Sequence, residues 1–399
     1  MSDSHHALRV LQVHTAYRLA GGEDQVVDAE KQLLDRAGIQ VHQVIFDNAD
    51  LQESRSVAGD LRLAASAIWS RAAERRVRAA IAADRPQVIH VHNTFPAASP
   101  SVYAAAAAHG VPVVQTLHNY RFVCPAATVF RNGHACTDCV GRSIPWPAVV
   151  HACVRGSRSQ SAVASATLAF HRARGTFTKG ISAYVALTPF QRQVMIDGGL
   201  PAERIRVIPN FLEPDPGVGR GPRSGALYVG RLSGEKGISV LLGAAAEAPG
   251  SVRVAGEGPM AARVLAASAA GHIKYLGRLS RTAVKAELRR ALALVLPSIW
   301  FEGFPFVILE AFGAGTPIIA SRIGSLAELI EDGVTGLLVE PNNPDELARR
   351  IHWANDHPGE MRRMGGNARD RYDTRYRGTS HLADLLEAYQ SVIAERPER

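Results

Sequence analysis

The sequence predicts an α/β protein built as two doubly wound lobes, and three observations lead to this prediction. Short apolar runs alternate with helix-like segments along the whole chain, which is typical of parallel sheets covered by helices on both faces. The chain has 399 residues, more than the ~250–300 residues that one hydrophobic core usually holds. A segment rich in proline and glycine at 214–222 separates two series of apolar runs and has the composition of a linker.

The first lobe is predicted over residues 1–210. It begins with an apolar strand at 8–13, a loop that contains Gly21 and Gly22, and a helix that ends near residue 37. The further strands, all expected to be buried and parallel, are 41–46, 87–91, 111–117, 183–187 and 205–208. Because glycine lets a backbone approach a ligand closely, Gly21 and Gly22 are candidates for contact with a phosphate or a sugar. A plain strand-to-helix turn would also explain them.

The second lobe is predicted over residues 223–378, after a linker at 211–222. Its strands are predicted at 226–229, 252–255, 273–276, 293–296, 317–320 and 336–339. In such sheets the ligand lies at the carboxyl ends of the strands. Functional residues are therefore expected directly after these runs.

A turn with two cations follows the strand at 226–229. It reads Gly230-Arg231-Leu232-Ser233-Gly234-Glu235-Lys236 and precedes a predicted helix. An arginine and a lysine beside a helix N-terminus can hold a diphosphate and neutralise the charge that develops on it when a sugar bond breaks. The alternative is a pair of ordinary solvated loop cations.

Two glutamates bracket a predicted helix start further along the chain. Gly303 and Pro305 keep the residues after Glu302 in a loop, and the apolar run from Phe306 predicts a helix. Glu302 is thus expected on the loop, with Glu310 about one turn into the helix. Backbone N–H groups at such a helix start can face a phosphate leaving group. The pair, taken with the two cations, indicates a nucleotide-sugar site.

In this combination of motifs the chain resembles the retaining glycosyltransferases of family 4. The resemblance extends over nearly the whole chain, through Gly21-Gly22, Ile208-Pro209-Asn210, Gly230-Arg231 to Lys236, Gly256-Glu257-Gly258-Pro259 and Glu302 to Glu310. It implies the GT-B fold, in which two Rossmann-like lobes face each other across a cleft. It also implies that a last helix, 379–399, packs back on the first lobe.

The resemblance implies that the donor is a nucleoside diphosphate sugar. Arg231 and Lys236 would contact its diphosphate. Glu302 would contact the sugar hydroxyls and take part in catalysis, and Glu310 would contact the ribose hydroxyls. Gly230 would belong to the same donor site.

A competing pattern lies at residues 256–261, where Gly-Glu-Gly-Pro-Met-Ala fits the dinucleotide fingerprint G-x-G-x-x-A. No acidic residue ends the next predicted strand, where Leu276-Gly277-Arg278 stands instead. The ribose contact expected of a nicotinamide cofactor is therefore missing. We interpret the region as a nucleotide pocket whose base lies against Gly277 and Arg278.

Histidine-asparagine pairs end two predicted strands of the first lobe, His92-Asn93 and His118-Asn119. In the resembling family the second pair often reads His-Asp, and Asn119 carries no charge, so its role as an acid or base is in doubt. We expect His118 to hydrogen-bond the transferred sugar or to stabilise the transition state. A satisfied buried histidine is the alternative.

All four cysteines fall in one insertion of the first lobe, about 118–180, with the spacing C-x11-C-x2-C-x13-C. Four thiolates around a central C-x2-C predict a structural zinc site formed by Cys124, Cys136, Cys139 and Cys153. Buried thiols or a redox or iron-sulfur role are the alternatives.

The net charge of +8 is concentrated in the first lobe. Two basic stretches, 62–78 and 155–179, are either solvated surface or an interface with an anionic inner leaflet that carries a lipid-linked acceptor. No nucleic-acid motif accompanies the charge. The chain start lacks a signal-peptide pattern and no apolar run reaches the ~18 residues that span a bilayer, so we expect a cytoplasmic protein, peripheral at the inner face of the membrane.

The expected reaction moves a sugar from the donor to a hydroxyl acceptor with retention, in the synthesis of a cell-envelope polysaccharide or glycolipid. No Asp-x-Asp motif occurs, so no catalytic metal is expected. Arg231, Lys236 and helix-start amides, which the resemblance places around Phe304 and Pro305, would stabilise the leaving diphosphate. A nucleotide-sugar epimerase, a sugar phosphorylase and a silent scaffold of the same fold are the alternatives.

Overall fold

The structure is a computed structural model that describes residues 8–16, 21–48 and 57–395. Its strands are β1 (Arg9–Ala16), β2 (Gln40–Asp47), β3 (Val88–Val91), β4 (Val113–Leu117), β5 (Phe130–Arg131), β6 (His134–Ala135), β7 (Ala183–Ala186), β8 (Ile205–Val207), β9 (Ala226–Val229), β10 (Val252–Ala255), β11 (Lys274–Tyr275), β12 (Ala293–Leu296), β13 (Ile318–Ser321) and β14 (Gly336–Val339).

Helices connect most of these strands. They are α1 (Gly22–Arg36), α2 (Val57–Ile68), α3 (Arg71–Asp84), α4 (Ser101–His109), α5 (Pro147–Val150), α6 (Arg158–Ala173), α7 (Thr176–Lys179), α8 (Pro189–Asp197), α9 (Ile238–Glu247), α10 (Ala261–Ala269), α11 (Arg281–Arg290), α12 (Phe306–Gly313), α13 (Gly324–Leu329), α14 (Pro344–Asp356), α15 (Pro358–Arg375) and α16 (Gly378–Ala394). None of the helices in the described ranges combines the length and the apolar character needed to cross a bilayer.

The first sheet is parallel and has the strand order β2-β1-β3-β4-β7-β8. Its central strands β3, β4 and β7 are buried along their full length, because helices cover both faces. The prediction that 41–46 is a buried strand is wrong. Strand β2 lies at the edge of the sheet, and more than half of its residues keep contact with solvent.

The second sheet is also parallel, with the order β11-β10-β9-β12-β13-β14. This order reverses direction at β9, whose neighbours are β10 on one side and β12 on the other. In open α/β sheets such a reversal opens a crevice at the carboxyl ends of the two central strands. The α/β fold class and the Rossmann-like character of both sheets are confirmed.

The chain forms two compact units. The first unit holds the described residues up to Thr128, residues 137–208 and the chain from His381 on; the second unit holds Val129–Cys136 and Pro209–Ser380. Within the first unit, the buried face of α16 contributes Leu385, Ala388 and Tyr389 to the core beside the sheet. The short hairpin β5-β6, which the sequence did not predict, belongs to the second unit.

Candidate functional site

The loops after β9 and β12 meet in the second unit, because these strands are neighbours and both end at the same edge of the sheet. The amide of Ile299 donates to the carbonyl of Glu235 at 3.0 Å. Gly237 has a φ of +73°, and a Cβ atom there would lie 1.8 Å from the carbonyl oxygen of Pro297. Only glycine fits this position, so the close approach of the two loops depends on Gly237.

Lys236 and Glu302 form an ion pair across these two loops. The Lys236 Nζ lies 2.8 Å from both carboxylate oxygens of Glu302. The Ser298 hydroxyl donates a further hydrogen bond to Oε1 of Glu302 at 2.6 Å, and only 5% of Glu302 is exposed. The Lys236 ammonium also lies 5.3 Å from the centre of the Trp300 ring. A buried carboxylate is thus neutralised by a half-buried ammonium, which places a fixed cation at the crevice.

Arg231 is exposed on the turn after β9. Its carbonyl oxygen accepts a hydrogen bond from the Tyr228 hydroxyl at 2.7 Å. Gly230 precedes it, at the end of the strand. The guanidinium therefore stays in solvent on a backbone that a buried tyrosine holds in place, which is suited to contact with an incoming anion.

Helix α12 begins one residue after Pro305, as the sequence predicted. Glu302 lies on the preceding loop and Glu310 within the helix. Phe304 is buried, and its ring packs edge-to-face against Tyr376 at 5.8 Å. Its side chain therefore anchors the loop, and only its backbone remains available for the predicted ligand contact.

Glu310 is half-buried on α12. Burial raises the pKa of its carboxyl, and Lys285 and Arg281 act in the opposite direction. A buried carboxylate that is not fully compensated is costly for the fold. Such a residue is a candidate for a binding role, because a ligand hydroxyl would donate a hydrogen bond to the carboxylate.

The glycines at 256 and 258 are explained by packing between loops of the second unit. A Cβ atom on Gly256 would lie 1.8 Å from the carbonyl oxygen of Gly230, and one on Gly258 would lie 2.5 Å from that of Leu232. The close approach to the turn after β9 is therefore a sufficient reason for these glycines, and a bound dinucleotide is not needed to explain them. Next to them, the amide of Gly256 donates to the carbonyl of Gly277 at 2.9 Å. Arg278 is exposed and pairs with Glu257 at 3.6 Å.

Gly21 caps helix α1 in the first unit. Its amide donates to Oδ2 of Asp24 at 2.8 Å, and Oδ1 of Asp24 lies 2.9 Å from Nε2 of His14. Among the atoms of the described residues, none lies within 4 Å of where a Cβ atom on Gly21 would stand. Packing in the first unit therefore does not require glycine there. Residues 18–20, which precede Gly21 in the predicted loop between the first strand and the first helix, lie outside the described residues.

His92 and His118 are in contact at the ends of β3 and β4. Nδ1 of His92 lies 3.0 Å from Nε2 of His118, and the rings stack at 5.3 Å. Burial lowers the pKa of both imidazoles, that of His92 to about 4. The two rings are therefore neutral at pH 7. The side chain of Asn119 accepts a hydrogen bond from the amide of Arg121 at 3.0 Å, which gives it a local turn role.

A buried carboxylate that sequence reasoning missed lies behind His92. Glu30 on α1 is 2.8 Å from Nδ1 of His90, 3.4 Å from Nε2 of His92 and 3.3 Å from Nε2 of His381. Its Oε1 also accepts from the Gln12 side chain at 2.9 Å. Burial opposes ionisation of Glu30, but the surrounding histidines lower its pKa well below its usual range.

The amphipathic period of α1 places Glu30 on the face of the helix that turns to the sheet, and this is the one signal that could have found it. Glu30, His90 and His92 offer three ligand atoms within 4.8 Å of one another. The 2.8 Å separation of Glu30 and His90 is that of a hydrogen bond, so we interpret the group as a hydrogen-bonded cluster. It holds His92, and through it His118, in place.

The four cysteines, all in the described part of the chain, are thiols and not disulfides. Cys136 belongs to the second unit. Among the described residues of the first unit, Cys124, Cys139 and Cys153 do not form a group with ligand atoms within 4.8 Å of one another. The sulfur of Cys139 lies 3.9 Å from the carbonyl oxygen of Pro145. The zinc site stays a prediction that metal analysis of the purified protein would test.

Family comparisons match both units. Residues 221–371 match the family described as Glycosyl transferases group 1, and residues 20–216 match Glycosyltransferase Family 4. A glycogen synthase of Mycobacterium tuberculosis is 30% identical over 334 residues, which are 79% of this chain and 70% of the relative. The D-rhamnosyltransferase WbpZ of Pseudomonas aeruginosa is 35% identical over 157 residues, which are 38% of this chain and 41% of the relative.

Solved structures resemble the whole chain. The HepE protein of Anabaena in complex with UDP superposes with a TM-score of 0.67 at 18% identity, covering 96% of this chain and 100% of that one. The sucrose-phosphate synthase of Thermosynechococcus elongatus superposes with a TM-score of 0.70 at 19% identity, covering 97% and 99%. At these identities the likeness concerns the fold alone, which is of the GT-B type.

Proposed function

The chain belongs to the family 4 glycosyltransferases of the GT-B fold and is a transferase, and on that premise we propose that it moves a sugar from a UDP-sugar to a hydroxyl acceptor with retention. The observation that carries the proposal is the fixed cation at the β9-β12 crevice, where Lys236 lies 2.8 Å from Glu302. A cation held there before the donor arrives needs little reorganisation when negative charge develops on a leaving diphosphate. UDP is the first nucleotide to test, because a solved structure of similar fold is a UDP complex.

In this proposal the second unit binds the donor. Lys236 and Arg231 contact the diphosphate, and the amides at the start of α12 contact the phosphate or the sugar. An ammonium has three N–H donors, so Lys236 can keep its contacts with both oxygens of Glu302 and still donate to a phosphate oxygen. Glu310 binds the ribose hydroxyls.

Glu302 contacts the sugar hydroxyls through its carboxylate oxygens, each of which can accept more than one hydrogen bond. The nucleotide base lies against Gly277 and Arg278, beside the turn after β9. Attack from the face of the leaving phosphate would give retention, with the phosphate itself accepting the proton of the acceptor hydroxyl.

In the first unit, His118 hydrogen-bonds a sugar hydroxyl. Burial keeps both His92 and His118 neutral. In the hydrogen bond between the two rings, one nitrogen therefore carries the proton and the other accepts it. If Nε2 of His118 donates to His92, the opposite ring nitrogen, Nδ1, is an acceptor for a ligand hydroxyl. Gly21, which has no Cβ atom and no described residue within 4 Å of where one would stand, allows a sugar or phosphate to approach the start of α1.

The acceptor in this proposal is lipid-linked, and the enzyme works at the inner face of the membrane in cell-envelope polysaccharide or glycolipid synthesis. The support is the excess of basic residues in the first unit. A relative named as a D-rhamnosyltransferase supports the transfer of a sugar by this chain.

The test is a thermal-shift and slow-hydrolysis screen against UDP-, GDP-, ADP- and dTDP-sugars. We expect one UDP-sugar to raise the Tm and to release UDP slowly, faster once a suitable acceptor is added. Glu310→Ala and Arg231→Ala should weaken the response. Release that needs inorganic phosphate in place of an alcohol would favour a phosphorylase, isomerisation of the sugar without release an epimerase, and no response to any donor a silent scaffold.

A further inference from the structure

Residues 139–196 of the first unit contain seven arginine or lysine residues and not a single aspartate or glutamate. Nearly the whole net charge of +8 of the protein therefore comes from this one segment. A surface helix usually mixes both signs, because opposite charges three or four residues apart stabilise it. A segment without any acidic residue presents an uncompensated positive field to a partner.

Three large apolar side chains are exposed at one turn of the same segment. Ile144, Trp146 and Val150 are 63%, 53% and 51% exposed. The amide of Trp146 donates to the carbonyl of Ile144 at 2.9 Å, and that of Val150 donates to the carbonyl of Trp146 at 3.2 Å. The three side chains therefore belong to one compact turn. We call residues 142–150 the tryptophan turn.

The tryptophan turn is fixed to the body of the first unit. The guanidinium of Arg172 on α6 donates to the carbonyl of Phe122 at 2.9 Å and to that of Arg142. The Ser165 hydroxyl donates to the carbonyl of Pro145 at 3.2 Å. These contacts hold the backbone of the turn while its apolar side chains remain in solvent. The exposure is thus a fixed feature of the surface, and three exposed apolar side chains on one turn differ from the scattered single ones that are normal.

Arginines lie beside the apolar side chains in space or follow them shortly in the chain. The Arg142 guanidinium lies 5.4 Å from the centre of the Trp146 ring, and Arg155 and Arg158 are exposed just after the turn. Tryptophan is enriched where a bilayer meets water, and aliphatic side chains enter the acyl boundary while arginines stay with anionic headgroups. A protein partner would need its own acidic surface and an apolar pocket, whereas an anionic bilayer supplies both chemistries at once.

The basic surface continues on α2 and α6. The ring of Trp69 stacks on that of His171 at 6.0 Å, and Nε2 of His171 lies 2.8 Å from the carbonyl oxygen of Ile68. The Arg174 guanidinium is 5.5 Å from the centre of the Trp69 ring. The two basic stretches seen in the sequence, 62–78 and 155–179, are therefore in contact with each other within the first unit.

From these observations we propose that the tryptophan turn and the arginines beside it dock the first unit on an anionic lipid bilayer. Ile144, Trp146 and Val150 enter the headgroup and acyl boundary, and Arg142, Arg155 and Arg158 contact lipid phosphates. The inference rests on the proposed function, in which the acceptor is lipid-linked, and it names the surface that meets the lipid.

The test is co-sedimentation of the full chain with vesicles of phosphatidylcholine alone or of phosphatidylcholine mixed with phosphatidylglycerol. We expect binding to the mixed vesicles, little binding to the neutral ones, and weaker binding as ionic strength rises. The double change Arg155→Glu/Arg158→Glu should lower the partition coefficient by about tenfold or more, since each basic residue near an anionic surface contributes about fivefold. Trp146→Ser should also lower it by about tenfold, because the apolar area of the ring is then no longer removed from water.

Matched controls come from the second unit. Leu265 is 54% exposed, like Trp146, so Leu265→Ser removes an equally exposed apolar side chain. Arg362 is exposed on α15, so Arg362→Glu reverses a comparable charge. Both variants should bind mixed vesicles as the wild type does. Equal binding to the two vesicle types, no binding to either, or equal losses in the control variants would overturn the proposal.

The Tm shift caused by a UDP-sugar, measured on every variant, separates this inference from the proposed function. An unchanged shift in Trp146→Ser also shows that the variant is folded. Vesicle binding without any Tm response to a UDP-sugar would support the docking surface and contradict the proposed donor. A donor response without vesicle binding would reject the docking surface alone.

Discussion

Lys236 lies 2.8 Å from both carboxylate oxygens of Glu302, although the two residues are 66 positions apart in the chain. Each was a candidate for a different part of the donor, the lysine for the diphosphate and the glutamate for the sugar. Their pairing means that neither can be changed without affecting the other. Experiments on this site must therefore separate binding, turnover and stability.

Lys236→Ala should lower turnover by about a hundredfold or more, in the range found for the loss of one transition-state donor. It should also lower the free energy of unfolding by about 2–3 kcal/mol, because Glu302 would stay buried without its cation. The value is below that for a fully buried pair, since the Lys236 side chain is 25% exposed. Steady-state kinetics and urea unfolding measure the two effects.

Lys274→Ala, at an exposed lysine of β11, is the matched control and should change neither quantity. In the double variant Lys236→Ala/Glu302→Gln, part of the stability should return while turnover stays low. If Lys236→Ala kept full turnover, the assignment of this cation to the leaving group would be wrong.

Arg231→Ala should behave differently from Lys236→Ala. The Arg231 side chain is exposed, so its removal should leave the free energy of unfolding within about 0.5 kcal/mol of the wild-type value. Loss of a charge-assisted contact with phosphate should weaken UDP binding by about tenfold or more. Isothermal titration with UDP measures this, and Arg362→Ala serves as the control. Equal UDP affinities in Arg231→Ala and the wild type would remove Arg231 from the donor site.

Glu310→Gln should weaken the binding of UDP and stabilise the protein without ligand. Burial raises the pKa of Glu310. The ionised carboxylate that is present at neutral pH therefore destabilises the folded state relative to the protonated form. Glutamine resembles that protonated form, and the free energy of unfolding should rise. The glutamine cannot accept two charge-assisted hydrogen bonds from ribose, so affinity for UDP should fall by about tenfold. Opposite changes in Tm and affinity are expected, and a parallel fall in both would argue for a structural role.

The stability of the first unit should depend on pH through its buried histidines. The pKa values of His14, His92 and His118 are lowered by burial, that of His92 to about 4. The unfolded chain therefore binds more protons than the folded chain below pH ~6.5, the usual pKa of histidine. The free energy of unfolding should thus fall as the pH decreases below ~6.5, by up to about 1.4 kcal/mol per pH unit for each such histidine until the pH reaches that histidine's pKa in the folded protein.

Urea unfolding between pH 7.5 and 4.5 measures this dependence. His92→Gln should reduce the slope of the free energy of unfolding against pH by the contribution of about one proton. His151→Gln, at an exposed histidine, should leave this slope unchanged. A stability that is constant over this range would show that the rings are not held neutral.

Local pattern was sufficient for most of the fold. Strands β9, β10, β12 and β14 begin and end at the predicted residues, because each is a short apolar run closed by a turn or a polar residue. The start of α12 was predicted for a similar reason, since Pro305 fixes the backbone just before the helix. Strand β2 was predicted as buried because an edge position depends on strand order, which a local run does not contain. The hairpin β5-β6 was missed because each of its strands has only two residues.

The sequence by itself determined the family, the two sheets and the candidate residues on the loops after β9 and before α12. These follow from residue type and spacing, which act over a few positions. Only the tertiary structure decided that Lys236 pairs with Glu302, and that Glu30 contacts His381, 351 positions away in the chain. Such contacts depend on which strands become neighbours and on which helix returns to which sheet. That choice is made by the burial of the whole core and not by any local signal.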